Sequence, residues 1–248
     1  MAATFIKDAA GSNSGVGSIA GAFSGSITTG DVLPFVVGWS DPTATLSGVA
    51  KSSGTATLSA ATILDNPVSS GNNHAAHGYL VCTAGGTCTV TASFSSTVAS
   101  RALIILHDVT GVNTVSPLDG HAINPQTSNA GIVTSGNIIT VDIGDYIFGW
   151  SWDCSNNASS IAAGSGYNLR YYTSSNVASE DQNQASPGSI AATFAYTGGS
   201  GDTTLTGVIA FSIPGGAPST GGLFQGAVIF DLDSDGFPVA ELQTGTNA

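Results

Sequence analysis

Residues 102–109 read ALIILHDV, and residues 88–94 read CTVTASF. The first run is apolar at consecutive positions, which predicts a central strand covered on both faces, at the place where two sheets meet. The second alternates. Val90, Ala92 and Phe94 fall on one face and Thr89, Thr91 and Ser93 on the other, the pattern of a strand with one buried side.

Working outward, β-branched and aromatic runs alternate with Gly/Ser/Asn/Asp/Pro punctuation at roughly the 8–12-residue spacing of a sandwich. Strands are expected at Ser18 to Phe23, Val32 to Trp39, Thr55 to Ala60, Ala76 to Cys82, Thr87 to Phe94 and Ala102 to Val109. Further strands are expected at Ile138 to Val141, Tyr146 to Trp152, Leu169 to Tyr172, Ser189 to Tyr196 and Thr204 to Ile213. Helical periodicity is almost absent, and no exact internal repeat at a fixed period is visible. The predicted class is all-β: an antiparallel β-sandwich, jelly-roll-like, with a short C-terminal extension. Residues 1–212 form the sandwich, with 1–17 as a candidate N-terminal arm. Residues 213–222 read as a linker, and 223–248 as a tail with one strand, Gly226 to Phe230, and an acidic turn.

Composition narrows function. The 248 residues carry 4 Lys+Arg against 16 Asp+Glu, a formal net charge of -12, which repels a phosphate backbone and argues against nucleic acid. Hydrophobic residues make up 42%, with 10 Phe, 6 Tyr and 3 Trp, enough for a core despite 33 Gly. Residues 1–30 hold no signal-peptide core, so export by that route is not expected. The best apolar stretch, Gly131 to Ile147, is broken at strand-like intervals, so no membrane association is expected. No cluster of acids, bases and nucleophiles stands out, so neither catalytic residues, nor a cofactor, nor a resident metal is predicted.

Cys82 and Cys88 flank Thr-Ala-Gly-Gly-Thr between β-prone residues, which reads as a hairpin. Paired strands can bring the two to disulfide distance in an oxidising place, and a reduced pair suits a reducing one. C-x5-C alone is poor evidence for zinc. Cys154 is expected as a small buried apolar residue.

His74 and His77 form H-x-x-H, but on a strand that spacing places them on opposite faces, and an exposed loop is expected. His107-Asp108 could belong to a Ser-His-Asp set, yet no G-x-S-x-G elbow accompanies them, and a buried histidine held by a backbone carbonyl is expected. Asp231, Asp233, Asp235 and Gly236 match the first half of a calcium loop. Glu241 comes one position early and Pro238 interrupts, so a solvated turn is expected. Glu180-Asp181 reads as a surface acidic pair. Trp39, Trp150 and Trp152 read as core, with Trp150 and Trp152 on one face. Arg101 and Arg170 are expected to pair with carboxylates or cap strand-end carbonyls.

Arg101 to Gly120, RALIILHDVTGVNTVSPLDG, resembles a module family of bacteriophage structural proteins and large bacterial surface proteins. Matching pieces are VVGW at Val36 to Trp39, TVTASF at Thr89 to Phe94, Arg101, TGV at Thr110 to Val112, and PLDG at Pro117 to Gly120. DYIFGW at Asp145 to Trp150, GSGYNLR at Gly164 to Arg170, SED at Ser179 to Asp181 and VIAFS at Val208 to Ser212 also fit. The family's usual S-G-V appears here as Thr110-Gly111-Val112. The resemblance spans roughly residues 4–212 and implies a non-enzymatic β-sandwich displayed on virions or cell surfaces, with no catalytic residue carried over. It implies a homo-oligomer, such as a trimer, that meets other virion proteins including the major capsid protein. The expected role is a capsid decoration or cement subunit on the virion exterior, made in the host cytoplasm. The alternatives are a carbohydrate- or receptor-binding module with Tyr167, Tyr171 and Tyr172 as its platform, a hydrolase using His107 or His74, and an extracellular filament subunit.

Overall fold

The computed structural model describes residues 2–126, 131–173, 176–198, 203–215, 231–232 and 238–239, and no helix occurs among them. The first half contains β1 (Thr4–Asn13), β2 (Val16–Ile27), β3 (Val32–Ser40), β4 (Leu46–Ser53), β5 (Thr57–Leu58), β6 (Thr62–Ser70), β7 (Asn73–Ala84), β8 (Gly86–Val98) and β9 (Arg101–Thr110). The second contains β10 (Leu118–Gln126), β11 (Ile132–Thr134), β12 (Ile138–Thr140), β13 (Asp145–Asp153) and β14 (Ala158–Ala163). It continues with β15 (Asn168–Thr173), β16 (Val177–Gln184), β17 (Gly188–Ile190), β18 (Thr193–Gly198) and β19 (Thr204–Phe211).

These strands build antiparallel sheets stacked in four layers. In order they are β2-β8-β4, then β1-β9-β3-β7 with β5 and β6 on the far edge of β7, then β10-β19-β13-β16-β15, then β11-β18-β14. β12 and β17 form a separate short ladder. The two halves thus follow one plan. β1, β9, β3, β7 and β6 of the first correspond in order to β10, β19, β13, β16 and β15 of the second, and β2-β8-β4 to β11-β18-β14. Details repeat as well. Asp41, just past β3, accepts the backbone N–H groups of Thr43, Ala44 and Ala99, while Asp153, ending β13, accepts those of Ser155, Asn157 and Ala158. The N–H of each aspartate donates to a turn asparagine carbonyl, Asn72 for Asp41 and Asn176 for Asp153. Strand lengths differ, 12 residues in β2 against 3 in β11 and 13 in β8 against 6 in β18, so the repeat has no fixed sequence period.

Three apolar layers fill the stack. β9 has Ala102, Ile104 and Leu106 in the outer core of the first half, and Leu103, Ile105 and Val109 in the central core between the halves. This is the expected two-faced strand, and sheets do meet across it. Val90, Ala92 and Phe94 are buried as the alternation requires. The central core is aromatic: Tyr146, Phe148, Trp150 and Trp152 from β13 and Phe211 from β19 pack against the β3-β9 face. Two glycines admit the indoles. A Cβ on Gly207 would lie 2.4 Å from Trp150, and one on Gly38 3.0 Å from Trp152.

Within the span 1–17 expected as a candidate arm, residues 4–13 form β1, which pairs along β9 of the same chain at the edge of its sheet. One expectation is corrected. Cys82 and Cys88 do not flank a hairpin. β7 and β8 part at Gly86, whose φ of 149° turns the chain out of one sheet, and β8 joins β2 and β4 while β7 joins β3. Both cysteines are free and buried in the outer core. In the tail, Asp231–Leu232 pairs with Pro238–Val239. The expected strand Gly226 to Phe230, Asp233, Asp235, Gly236 and Glu241 lie outside the described residues.

Candidate functional site

Three clusters of ionisable side chains combine buried and half-buried groups. The first lies between the halves. Asp65 on β6 accepts from both His77 Nε2, at 3.0 Å, and His121 Nδ1, at 2.8 Å. His77 is fully buried, and Trp150 Nε1 donates to its Nδ1 at 3.2 Å. An indole N–H can only donate, so His77 Nδ1 carries the lone pair and Nε2 the proton. The three residues are spaced closely enough to suggest a metal, yet this tautomer directs a proton, not a lone pair, at the shared oxygen. The cluster is a hydrogen-bonded clamp joining β6 and β7 to β10 and β13. The two histidines hold the Asp65 carboxyl down at about 2, the His77 hydrogen bond most strongly, while burial lowers the pKa of His77 itself. His74 lies on the other face, its ring stacked on Trp39 at 5.3 Å, and accepts or donates at Ser69 Oγ, 2.6 Å away. Both histidines sit on β7, not in a loop.

The second cluster surrounds His107. Its Nε2 lies 2.8 Å from Ser179 Oγ and its Nδ1 3.0 Å from the Tyr146 hydroxyl, which in turn donates to Asp181 Oδ2 at 3.1 Å. Arg170 Nε donates to Asp181 Oδ1 at 2.7 Å, and its guanidinium caps the Phe5 ring at 4.3 Å. A cavity of about 170 Å³ opens beside Thr4, Phe5, Asn168, Arg170 and Asp181. The order Ser-His-Tyr-Asp has the outline of a proton relay. His107 and Ser179 are nevertheless 0% exposed, so no substrate reaches the hydroxyl in this arrangement, and burial holds the imidazole down at about 3, too weak a base at neutral pH. Its partners are side chains of the neighbouring sheet, not the expected backbone carbonyl. Asp108 points to the opposite face, where it meets Asp31 and Lys7, with the Lys7 ammonium 3.8 Å away.

Glu180 and Asp181 are corrected from a surface pair to 0% and 3% exposure. β16 is an inner strand, and Glu180 accepts the N–H groups of Gly164 at 2.8 Å and Thr193 at 3.2 Å. Burial pushes its carboxyl up to about 8. The tryptophans are core as expected, with Trp150 and Trp152 on one face. Arg170 has its carboxylate, while the Arg101 guanidinium lies over the Trp152 ring at 5.5 Å. Tyr167, Tyr171 and Tyr172 do not share a platform: Tyr167 packs on the outer core of the second half and its hydroxyl donates to Ala191 O, while Tyr171 packs on the central core.

The third cluster escaped sequence reasoning. Asp119 follows Leu118 at the entry to β10, Asp142 precedes Gly144 in the loop after β12, and Asp145 opens β13. One oxygen from each lies within 4.8 Å of the others. Asp119 Oδ2 accepts the N–H of Val141 at 2.7 Å. Burial, then the Asp119 carboxyl, pushes Asp145 up to about 8. The signal was present in PLDG and VDIGD, whose nearest aspartates, Asp119 and Asp142, are 23 residues apart, but nothing local says that they meet.

No protein-family model matches this chain, and no curated protein matches it.

Proposed function

We propose that the protein is a non-enzymatic structural component of a virion exterior, a capsid decoration or cement subunit that assembles with copies of itself and with the major capsid protein. In this reading each half is a jelly-roll-like sandwich. One observation carries it. The segment from β12 to β13 presents Ile139, Val141 and Ile143 at 65%, 51% and 50% exposure, the last in the turn that leads into β13, with Ile132 at 67% in the same half. Four large aliphatic side chains left in water within a dozen residues are a surface made to be covered. The resemblance of Arg101 to Gly120 supplies the virion context. The interior placement of His107, Ser179, Glu180 and Asp181 accounts for them as packing and fold-specifying groups.

The test is mass in solution by light scattering, for the full chain and for Ile139→Ser/Val141→Ser/Ile143→Ser. The expected result is an oligomer that survives 1 M salt, because apolar contact is not screened, and that falls to monomer in the variant. A monodisperse monomer for both chains refutes the assembly reading. Sedimentation with intact particles on a density gradient checks the virion context.

A further inference from the structure

We propose that Asp119, Asp142 and Asp145 form a binding site for a hard divalent cation, calcium by its coordination chemistry, which ties the first strand of the second half to the entry of its central strand. The carboxylate oxygens converge within 4.8 Å, the separation expected of ligands around one ion. Asp145 is 0% exposed, and neither of its oxygens has a hydrogen-bond partner among the described residues. A buried carboxylate whose oxygens meet no donor among the described residues, with one of them beside the Asp119 and Asp142 carboxyls, has the chemistry of an ion ligand.

The first half shows what such a corner requires. There Asp31 immediately precedes β3, much as Asp145 begins β13, and it faces Asp108 on β9. Lys7 on β1, directly across from Asp108, brings its ammonium to that pair and also donates to the carbonyls of Ser24 and Ser26. In the second half the residue that follows the bulge of β10, as Lys7 follows the bulge of β1, is Gly120, across from Ala210 on β19. The remaining cations of the chain are engaged elsewhere: Lys51 at Gly54 O, Arg101 over Trp152, Arg170 at Asp181. One half therefore meets its buried acids with an ammonium, and the other has gathered a third carboxylate and left the positive charge to solution. Oxygen-only donors exclude the preference of zinc for nitrogen and sulfur. Carboxylates on a strand, a loop and a second strand suit the larger, more tolerant calcium over magnesium, which holds its waters and demands near-ideal octahedra.

The experiment is calorimetric titration of the chelator-treated full chain with calcium chloride and with magnesium chloride, alongside thermal melts. The expected outcome is one calcium per chain at this site, weaker or no magnesium binding, and a melting temperature raised by about 5–10 °C at a hundredfold excess over Kd. Asp142→Asn and Asp145→Asn, each folded by circular dichroism, should lose that uptake. Asp231→Asn/Asp233→Asn/Asp235→Asn, which removes three acidic residues of the tail, should keep it. Gly120→Lys, whose Cβ has its nearest neighbour at 3.5 Å, should replace the ion with an ammonium and abolish the calcium response without loss of fold. No heat and no thermal shift with calcium, or uptake that survives in both Asp142→Asn and Asp145→Asn, overturns the proposal.

Discussion

Gly207→Ala should be among the most damaging single-methyl additions available in this chain. The new Cβ would stand 2.4 Å from Trp150 Cε2, 2.5 Å from Cζ2 and 2.6 Å from Nε1, about 1 Å inside ordinary contact. In a soft core the ring would slide away. Here it is pinned, because Nε1 donates to His77 Nδ1 and the opposite nitrogen of His77 is held by Asp65. Accommodation therefore costs overpacking, ~1–3 kcal/mol, and also strains or breaks a buried hydrogen bond worth ~1 kcal/mol or more. A total of roughly 2–4 kcal/mol corresponds to a melting temperature lower by about 4–15 °C at this chain length. Gly48→Ala is the control, since nothing lies within 4 Å of its Cβ and its backbone suits alanine, so stability should hold or rise slightly. Differential scanning calorimetry of both variants decides the matter. Equal melting temperatures for Gly207→Ala and Gly48→Ala would refute the reasoning that the indole is locked between the halves.

His107 keeps its neutral form in the fold, at about 3 against 6.5 when unfolded, so its contribution to stability is full above pH 6.5 and is lost as pH falls towards 3, at up to ~1.4 kcal/mol per pH unit. Urea unfolding of wild type and His107→Gln at pH 7, 6 and 5 should converge as pH drops; parallel profiles would remove the assignment. Glu180 works in the opposite sense. Its carboxyl is raised to about 8, so its contribution is present below pH 4.5 and lost as pH rises through 8, and Glu180→Gln should flatten that part of the profile. Burial pushes the Cys82 thiol up to about 11 and raises those of Cys88 and Cys154. Folded protein at pH 8 should resist a thiol-reactive disulfide reagent while guanidinium releases all three thiols; a count of one would show a disulfide, and peptide mapping would test whether it joins Cys82 and Cys88.

What the sequence displays plainly is what depends on apolar pattern. ALIILHDV announces a strand between two cores because both of its faces need cover, and CTVTASF announces a strand with one wet face. Pattern reading passes over β1, β4, β6, β10, β11, β14 and β16, and three of them are conspicuously polar: β6 reads TILDNPVSS, β10 LDGHAINPQ and β16 VASEDQNQ. Key polar groups on them are satisfied by residues distant in sequence, Asp65 by His121 and Glu180 by the N–H groups of Gly164 and Thr193. That is why the same strands hold the clusters that sequence reasoning placed on the surface or missed. The Cys82 to Cys88 turn misleads for a related reason: a Gly-Gly between two β runs permits a hairpin but equally permits a change of sheet, and only the strand partners decide.

The shared strand order of the halves has a consequence for dilution. A sandwich of this plan standing alone would leave its aromatic face to be covered by a second copy, and such a pair would come apart as its concentration fell. Joined through residues 111–117, the two faces see each other at an effective concentration of order millimolar however dilute the chain becomes. Dilution therefore leaves the pairing of the halves intact, and only contacts with other molecules are subject to mass action.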